Sequence, residues 1–464
     1  WSSEGLGTFT ITDAGPLPRG TEIVLHLKED AQDFADEWRL KTIIRRYSGF
    51  VPHPILVGGA VVNDQKPIWV EPRNQVTEEQ YTQFYQHLTH HTDEKPLWHV
   101  HLAIDSPIQF RAILYCPPRN VEMLGLGRAE HGLSLCAQRV LVQSDCRDLL
   151  PEYLRFLYGI VDSEDLPLNI SRETMQDTSL MQKLNKVLTG RFLKFLDEQS
   201  EKEAEAYEKF YTEYQRFLKE GVVTDFTHKD ALGKLLRFES SSLDKGKLTS
   251  LADYVKRMSS EQKEIYCLLA PNRAAAEASP YFEVFKERKF EVLFLYDPWD
   301  EFVIEHLREF DGKQLKLAEK ADLNLNEPKK DGALSEAAAK SLSAWLKESL
   351  GDKVGEVRVS QRLVDSPAVV VDADKFMTAS MRRIMKSMKQ DSEAAAPVKY
   401  DFEINPAHPI MARLEAMRQK DAALAGSVAE QILDNARVAA GLLEDPRTML
   451  NRLNQLLEKV LAKE

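Results

Sequence analysis

Leu166-Pro167-Leu168-Asn169-Ile170-Ser171-Arg172-Glu173-Thr174-Met175-Gln176-Asp177 forms a polar loop leading into a long helical stretch, and it separates two kinds of sequence. Pro167 disfavours helix in the residue before it, and Ser171 is a suitable N-cap. Upstream, from Val51 to about Val142, short apolar strands such as His99–Ile104 and Phe110–Tyr115 alternate with helical stretches such as Glu78–Leu88. That alternation predicts a mixed α/β domain. Downstream, between Arg172 and Gly221, Met181, Leu184, Leu188, Phe192 and Phe195 recur at helical spacing, continued by Tyr207, Phe210, Tyr211, Tyr214, Phe217 and Leu218. A helix buried on one side accounts for the aromatic series as packing, and Gly221 reads as its stop.

A second, smaller α/β unit follows: strand Glu264–Leu269, a helix from about Arg273 to Arg288, and strand Phe290–Tyr296, spaced for a right-handed βαβ crossover. Asn324–Gly332 is polar and broken by Pro328 and Gly332, so a domain boundary is expected there. Beyond it come an Ala-rich helix ending at Gly351, strands near Val354–Val359, Ala368–Val371 and Tyr400–Ile404, and three helical segments. At the other end the chain opens at Trp1 with alternating residues Thr8–Ile11 and Thr21–Leu27, two strands and a turn. A lone hairpin is marginal in water, so the pair is expected either in a larger sheet encoded upstream or in the next domain's sheet.

Length and charge bound the function. A chain of 464 residues implies several domains, and 43% hydrophobic with 29% charged residues excludes wholesale disorder. Lys and Arg total 61 against 73 Asp and Glu, a net charge of −12 that disfavours general attraction to nucleic acid or anionic lipid. No apolar run reaches the length of a membrane span and no signal-peptide pattern opens the chain, so a cytosol-like compartment is expected. Cys116, Cys136, Cys146 and Cys267 lack CxxC spacing and read as reduced thiols.

Few residues announce chemistry. Arg172, in the first turn after the Ser171 cap, sits where the helix dipole disfavours a cation. It either donates to an anion such as a terminal phosphate, with Asn169 and Gln176 fixing loop and ligand, or pairs with Asp165, Glu173 or Asp177. Neither GxxxxGK[ST] nor GxGxxG occurs, so the chain is not expected to hold a nucleotide alone. His87, His90, His91, His99 and His101 cluster locally, but no HExxH accompanies them; packed histidines are the reading and no metal is expected, a metal-dependent hydrolase being the alternative. Met377, Met381 and Met385 form one helical stripe with Ile384 beside it, suited either to many apolar partners or to a buried helix. Ile432, Leu433, Ala436 and Ala439 make one apolar face near the end, and Leu453, Leu456, Leu457 and Val460 make another. Helix-on-helix dimerisation or intramolecular packing would use them.

Taken together, several of these stretches resemble the 90-kDa heat-shock protein family of ATP-dependent chaperones. The resemblance rests on Tyr153-Leu154-Arg155-Phe156, on Gly159 through Glu173, on Lys234-Leu235-Leu236-Arg237-Phe238, on Arg308-Glu309-Phe310-Asp311-Gly312-Lys313 and on Arg452-Leu453-Asn454-Gln455-Leu456-Leu457. Glu239-Ser240-Ser241 and Ala270-Pro271-Asn272-Arg273 are similar to its bacterial and mitochondrial branch.

The resemblance implies an α/β and α+β multidomain chain. Residues 1–30 would be a remnant hairpin of a nucleotide-binding domain and 31–328 a middle domain, its two α/β units (the smaller at 251–323) joined by a helical segment at 172–221. Residues 329–464 would be an α+β dimerisation domain. It implies that Arg172 reaches the γ-phosphate of ATP, assisted by Asn169 and Gln176, while ATP and Mg are bound mainly by a domain absent here, leaving this stretch inactive alone. It places client contacts at Trp69, Trp299, Phe302, Met377, Met381, Ile384 and Met385, and a homodimer interface at the C-terminal faces. Unfolded or partly folded proteins are the implied partners, with neither nucleic acid nor membrane among them. The ending Leu461-Ala462-Lys463-Glu464 differs from the acidic tail that recruits tetratricopeptide co-chaperones, so none is expected. Bacterial cytoplasm, or alternatively the mitochondrial matrix, is the implied location. A passive, nucleotide-independent holdase or dimer scaffold is the rival reading.

Overall fold

The computed structural model describes all residues except 1, 4, 6, 14, 17, 91, 126, 129–130, 167–177, 321–332, 373–399, 444 and 463–464. Asn169, Arg172, Gln176, Met377, Met381, Ile384, Met385, His91 and the expected linker at 324–332 therefore lie outside the described residues.

At the start, β1 (Ser2–Ser3) pairs with β2 (Phe9–Thr10), and residues 21–28 form no strand. The expected hairpin of 8–11 with 21–27 is thus corrected: Ile23, Val24 and Leu25 are exposed, with neither a paired edge nor a buried face to hold them extended. Helix α1 (Glu37–Ser48), capped by Asp36, and the short hairpin β3 (Leu56–Val57) and β4 (Ala60–Val61) lead into the large α/β unit.

There α2 (Glu78–Thr89), β5 (Trp98–Ile104), β6 (Phe110–Cys116), β7 (Gly132–Ala137), β8 (Val140–Gln143) and β9 (Tyr158–Ser163) build a five-stranded sheet of order β5-β6-β9-β7-β8. Only β7 and β9 run parallel. Because side chains alternate along a strand, β6 serves two cores. Ile113 and Tyr115 pack with Tyr81, Phe84 and Tyr85 of α2, whereas Ala112, Leu114 and Cys116 face the opposite layer. That layer is α3 (Thr178–Lys202) and α4 (Ala204–Thr224).

The α4 aromatics pack as their spacing predicts, and their hydroxyls are satisfied: Tyr207 donates to the Leu235 carbonyl at 2.6 Å, Tyr211 to that of Arg237 at 2.8 Å and Tyr214 to those of Pro117 and Arg119. Gly221 does not stop the helix, which runs on to Thr224. Its role is close approach, since a Cβ there would lie 2.9 Å from the Tyr153 ring and 3.0 Å from Leu232.

The small α/β unit comprises α5 (Lys229–Leu235), β10 (Arg237–Ser240), β11 (Leu248–Ser250), α6 (Leu251–Arg257), β12 (Ile265–Leu269), α7 (Arg273–Glu277), α8 (Glu283–Arg288), β13 (Val292–Leu295), α9 (Pro298–Leu307), β14 (Glu309–Phe310) and β15 (Lys313–Leu317). Its sheet order is β11-β10-β13-β12-β15-β14, with β12 parallel to β13 and β15. The crossover helix is two pieces rather than one, broken around Pro280, whose ring disfavours helix in the preceding residue. Ile265, Cys267, Leu293 and Leu295 share one continuous core with α3 and α4 of the large unit.

The C-terminal unit holds α10 (Glu336–Leu350), β16 (Val357–Val359), β17 (Ala368–Val371), β18 (Asp401–Ile404), α11 (Pro409–Arg418), α12 (Ala422–Ala439) and α13 (Arg447–Leu461), its sheet ordered β16-β18-β17. Leu363, Val369 and Val371 complete a core begun by Tyr266, Phe285 and Phe294 of the small unit. Two charged side chains cross this junction, Arg362 buried and Glu283 half-buried. Glu283 accepts the backbone N–H groups of Val364, Asp365 and Ser366 at 2.8, 2.9 and 3.1 Å. In the other direction Arg362 pairs with Glu403 at 3.0 Å and donates to the Ala318 and Lys320 carbonyls.

Candidate functional site

The described residues that flank the stretch singled out by sequence are held to the large unit. Strand β9 delivers the chain to Ser163, whose hydroxyl donates to the Gln109 carbonyl at 2.7 Å, while the Asp165 carboxylate accepts the Gln109 N–H at 2.8 Å. Leu166, the last described residue before the gap, is buried in the core. On the far side Asn185 of α3 donates to the Asp148 carbonyl at 3.0 Å.

Close to that scaffold lies an ion-pair node that sequence reasoning missed. Arg155, 7% exposed, binds Glu122 through Nε and Nη2 at 2.8 and 3.1 Å, Glu220 through Nη1 at 3.0 Å and the Glu152 carbonyl at 2.8 Å. Its guanidinium also lies 4.4 Å over the Phe217 ring. Planar, multiply satisfied Arg pairs of this kind fix geometry. Next to it Tyr153 donates to Asp225 at 2.9 Å, and His228 contacts the same carboxylate at 2.8 Å. Burial works to raise the Asp225 pKa, but the hydrogen bonds from His228 and Tyr153 outweigh it and hold it low. The available sequence signal was a lone charge inside Tyr153-Leu154-Arg155-Phe156, which only a buried partner explains.

Trp69, expected at a client-contacting loop, is fully buried here, packed edge-on against Phe50 and donating its indole N–H to Asp162 at 3.0 Å. His101 is equally internal. A carbonyl can only accept, so its Nε2 donates to the Trp69 carbonyl at 3.0 Å and its Nδ1 accepts from the Tyr81 hydroxyl at 2.7 Å. Burial lowers its pKa. His99 stacks on Tyr81 with centroids 3.8 Å apart. These histidines pack, and among the described residues no group of three His, Cys, Asp or Glu is placed to hold a metal.

Trp299 and Phe302 lie on α9, capped by Asp297 with Pro298 following. Both are half-buried, their ring centroids 5.7 Å apart, while Val303, Ile304 and Leu307 on the same helix are buried.

The two C-terminal faces separate. Ile432, Leu433 and Ala436, expected at an interface with a second chain, are buried inside the C-terminal core among Leu342, Phe402 and Met411, whereas Ala439 of that face is exposed. Helix α13 has no buried residue: Leu453 and Leu456 are half-buried, Leu457 is 50% and Val460 69% exposed. Its tie to α12 includes Arg452, which bonds Asp434 at 2.6 Å and Glu430 at 3.1 Å.

Among the described residues no helix is long and apolar enough to cross a membrane. Comparison with known proteins adds identity to this geometry. The model of the family described as Hsp90 protein matches residues 57–464. Chaperone protein HtpG of Desulfitobacterium hafniense is 47% identical over 468 residues, covering 99% of this chain and 75% of that protein. That of Desulfotalea psychrophila is 42% identical over 471 residues, covering 100% and 76%. The mitochondrial heat shock protein 75 kDa of Rattus norvegicus is 39% identical over 475 residues, covering 100% and 67%. With the family model matching most of its length and relatives of both kinds aligned across nearly all of it, the chain belongs to the Hsp90 family, in its bacterial and mitochondrial branch.

Proposed function

We propose that this chain provides the middle and C-terminal parts of an ATP-dependent molecular chaperone that binds unfolded or partly folded proteins. The observation that carries the reading is 47% identity across 99% of the chain to a protein named as chaperone HtpG. ATP and Mg would be held mainly by a nucleotide-binding domain outside this sequence. Arg172, in the loop anchored by Asp165 and α3, would stabilise charge on the transferred phosphoryl group when that domain closes on the loop, with Asn169 and Gln176 supporting it. Clients would meet the Trp299 and Phe302 pair and the Met377, Met381, Ile384 and Met385 stripe. Leu453, Leu456, Leu457 and Val460 would face the same helix of a second copy. The compartment would be the bacterial cytoplasm or the mitochondrial matrix.

The test joins a family nucleotide-binding domain ahead of Trp1 and compares ATP turnover with Arg172 and with Arg172→Ala, both checked for oligomeric state. A fall of up to about 10³-fold with the assembly intact places Arg172 on the phosphate. Unchanged turnover returns it to an ion pair with a neighbouring carboxylate. The exposed apolar face of α13 and the Trp299 and Phe302 pair also suit a passive holdase. Suppression of a model enzyme's aggregation that ATP does not alter in the joined protein would favour that second reading.

A further inference from the structure

Where the small α/β unit meets the C-terminal unit, the structure forms a cavity of about 790 Å³ that opens to solvent on one side. Glu301, Glu319 and Asp372 reach it, and Tyr281, Val370 and Leu442 are among its less polar walls. Glu301, on the buried side of α9, is 0% exposed, and neither of its carboxyl oxygens has a hydrogen-bond partner among the described residues. Glu319 offers one oxygen to the Leu269 N–H at 2.8 Å, and its other oxygen has no hydrogen-bond partner among the described residues. The neighbouring cations have carboxylates of their own: Lys320 pairs with Glu305, Lys219 with Asp297 and Asp300, and Arg362 with Glu403.

Buried carboxyls without partners are costly, and they gain most from a donor brought in from outside. The shape of the site says which donor. No group of three His, Cys, Asp or Glu among the described residues is placed to hold a metal ion, whereas the walls are largely apolar and offer an alkyl stem a surface to cover. We propose that this cavity binds an organic cation, a primary ammonium or guanidinium group on an apolar stem, with the charged end between Glu301 and Glu319.

Protonation gives the proposal a signature. Burial, reinforced by Glu319 and by the Glu305 and Asp372 carboxylates against the opposing pull of Lys320, pushes Glu301 up to about 8. Glu319 is pushed up to about 7, again chiefly by burial. A cation entering must therefore expel a proton from the pair, so its affinity rises as pH climbs through this range and its binding releases protons.

Isothermal titration of the whole chain with n-hexylammonium, n-hexylguanidinium and 1-hexanol, in two buffers of different ionisation heat, tests this. Expected are saturable binding of both cations, none of the alcohol, proton release, and affinity lowered at least about tenfold in Glu301→Gln. Glu319→Gln, with thermal unfolding as the fold check, serves the same purpose should Glu301→Gln fail to fold. A flexible peptide carrying one Lys, beside its norleucine twin, identifies the source. Tighter binding of the Lys peptide than of hexylammonium points to a basic side chain of another protein, and binding of the free amine alone points to a small amine. Absence of cation binding in the millimolar range, equal binding of the alcohol, or affinity unchanged in both Gln variants overturns the proposal.

Discussion

Trp69 and Asp162 are joined at 3.0 Å inside the large α/β unit, so the segment before α2 is tied to the central strand β9 by a single indole N–H. The other Asp162 oxygen accepts the Arg139 N–H at 3.0 Å, so one carboxylate serves two distant pieces of chain. Trp69→Ala should cost about 3–5 kcal/mol through the cavity it opens. Trp69→Phe keeps most of the volume and should cost only about 1–2 kcal/mol, the loss of one hydrogen bond to a charged group. Urea unfolding followed by tyrosine fluorescence reads both. Client capture per folded molecule should not change, because the side chain presents no surface.

Glu283 holds the turn at 364–366 through three backbone N–H groups and the Ser366 hydroxyl. Glu283→Gln removes the charge from these bonds and should loosen the turn by about 1.5–3 kcal/mol. Hydrogen exchange of the Val364, Asp365 and Ser366 amides should accelerate, while exchange in the five-stranded sheet stays as it was.

The raised pKa of Glu301 fixes a sign for the pH dependence of stability. In the unfolded chain its carboxyl titrates near its ordinary value, but in the folded chain burial pushes it up to about 8. Its favourable contribution is complete below the unfolded value and is lost as pH rises through the folded one. Glu301→Gln cannot ionise, so it should unfold at higher denaturant than the parent at about pH 9 and at nearly the same denaturant at about pH 4. A variant that parallels the parent across this window would show that Glu301 ionises freely in the folded chain.

Helix α13 can be altered without touching a core, since none of its residues is buried. Leu453→Glu combined with Leu457→Glu should change unfolding by no more than about 0.5 kcal/mol. Sedimentation velocity should show self-association weakened in the pair and retained in Asn454→Ala. Equal sedimentation of parent and double variant would remove this face from the proposed dimer.

Patterns of local spacing were legible, and partners distant in sequence were not. The parallel pair β12 and β13 follows from two apolar runs separated by a crossover's length. The packing of Phe210 and Tyr214 follows from helical spacing. Gly221 misleads because its cause, the Tyr153 ring, lies far away in sequence. Ile432 and Leu433 make a stripe that could face either a neighbouring copy or the sheet beneath, and periodicity is the same in both cases. Arg155, Glu283 and Glu301 escaped because a charge carries no spacing signal of its surroundings; Arg155 and Glu283 are explained only by partners that the fold brings together, and the burial of Glu301 only by the core beneath α9. Resemblance named Arg172, yet the contacts that hold the flanks of its stretch, Asp165 with Gln109 and Asn185 with Asp148, join groups that no local spacing relates.

The shared cores have a mechanical consequence. Large and small units are fused by one apolar interior, and the small and C-terminal units by another, stapled from opposite sides by Glu283 and Arg362. Close-packed interiors resist gradual shear, so sliding one of these units past its neighbour would have to break the core they share. Ile23–Leu25 and the outer face of α13, by contrast, have little beneath them and can shift without opening either core.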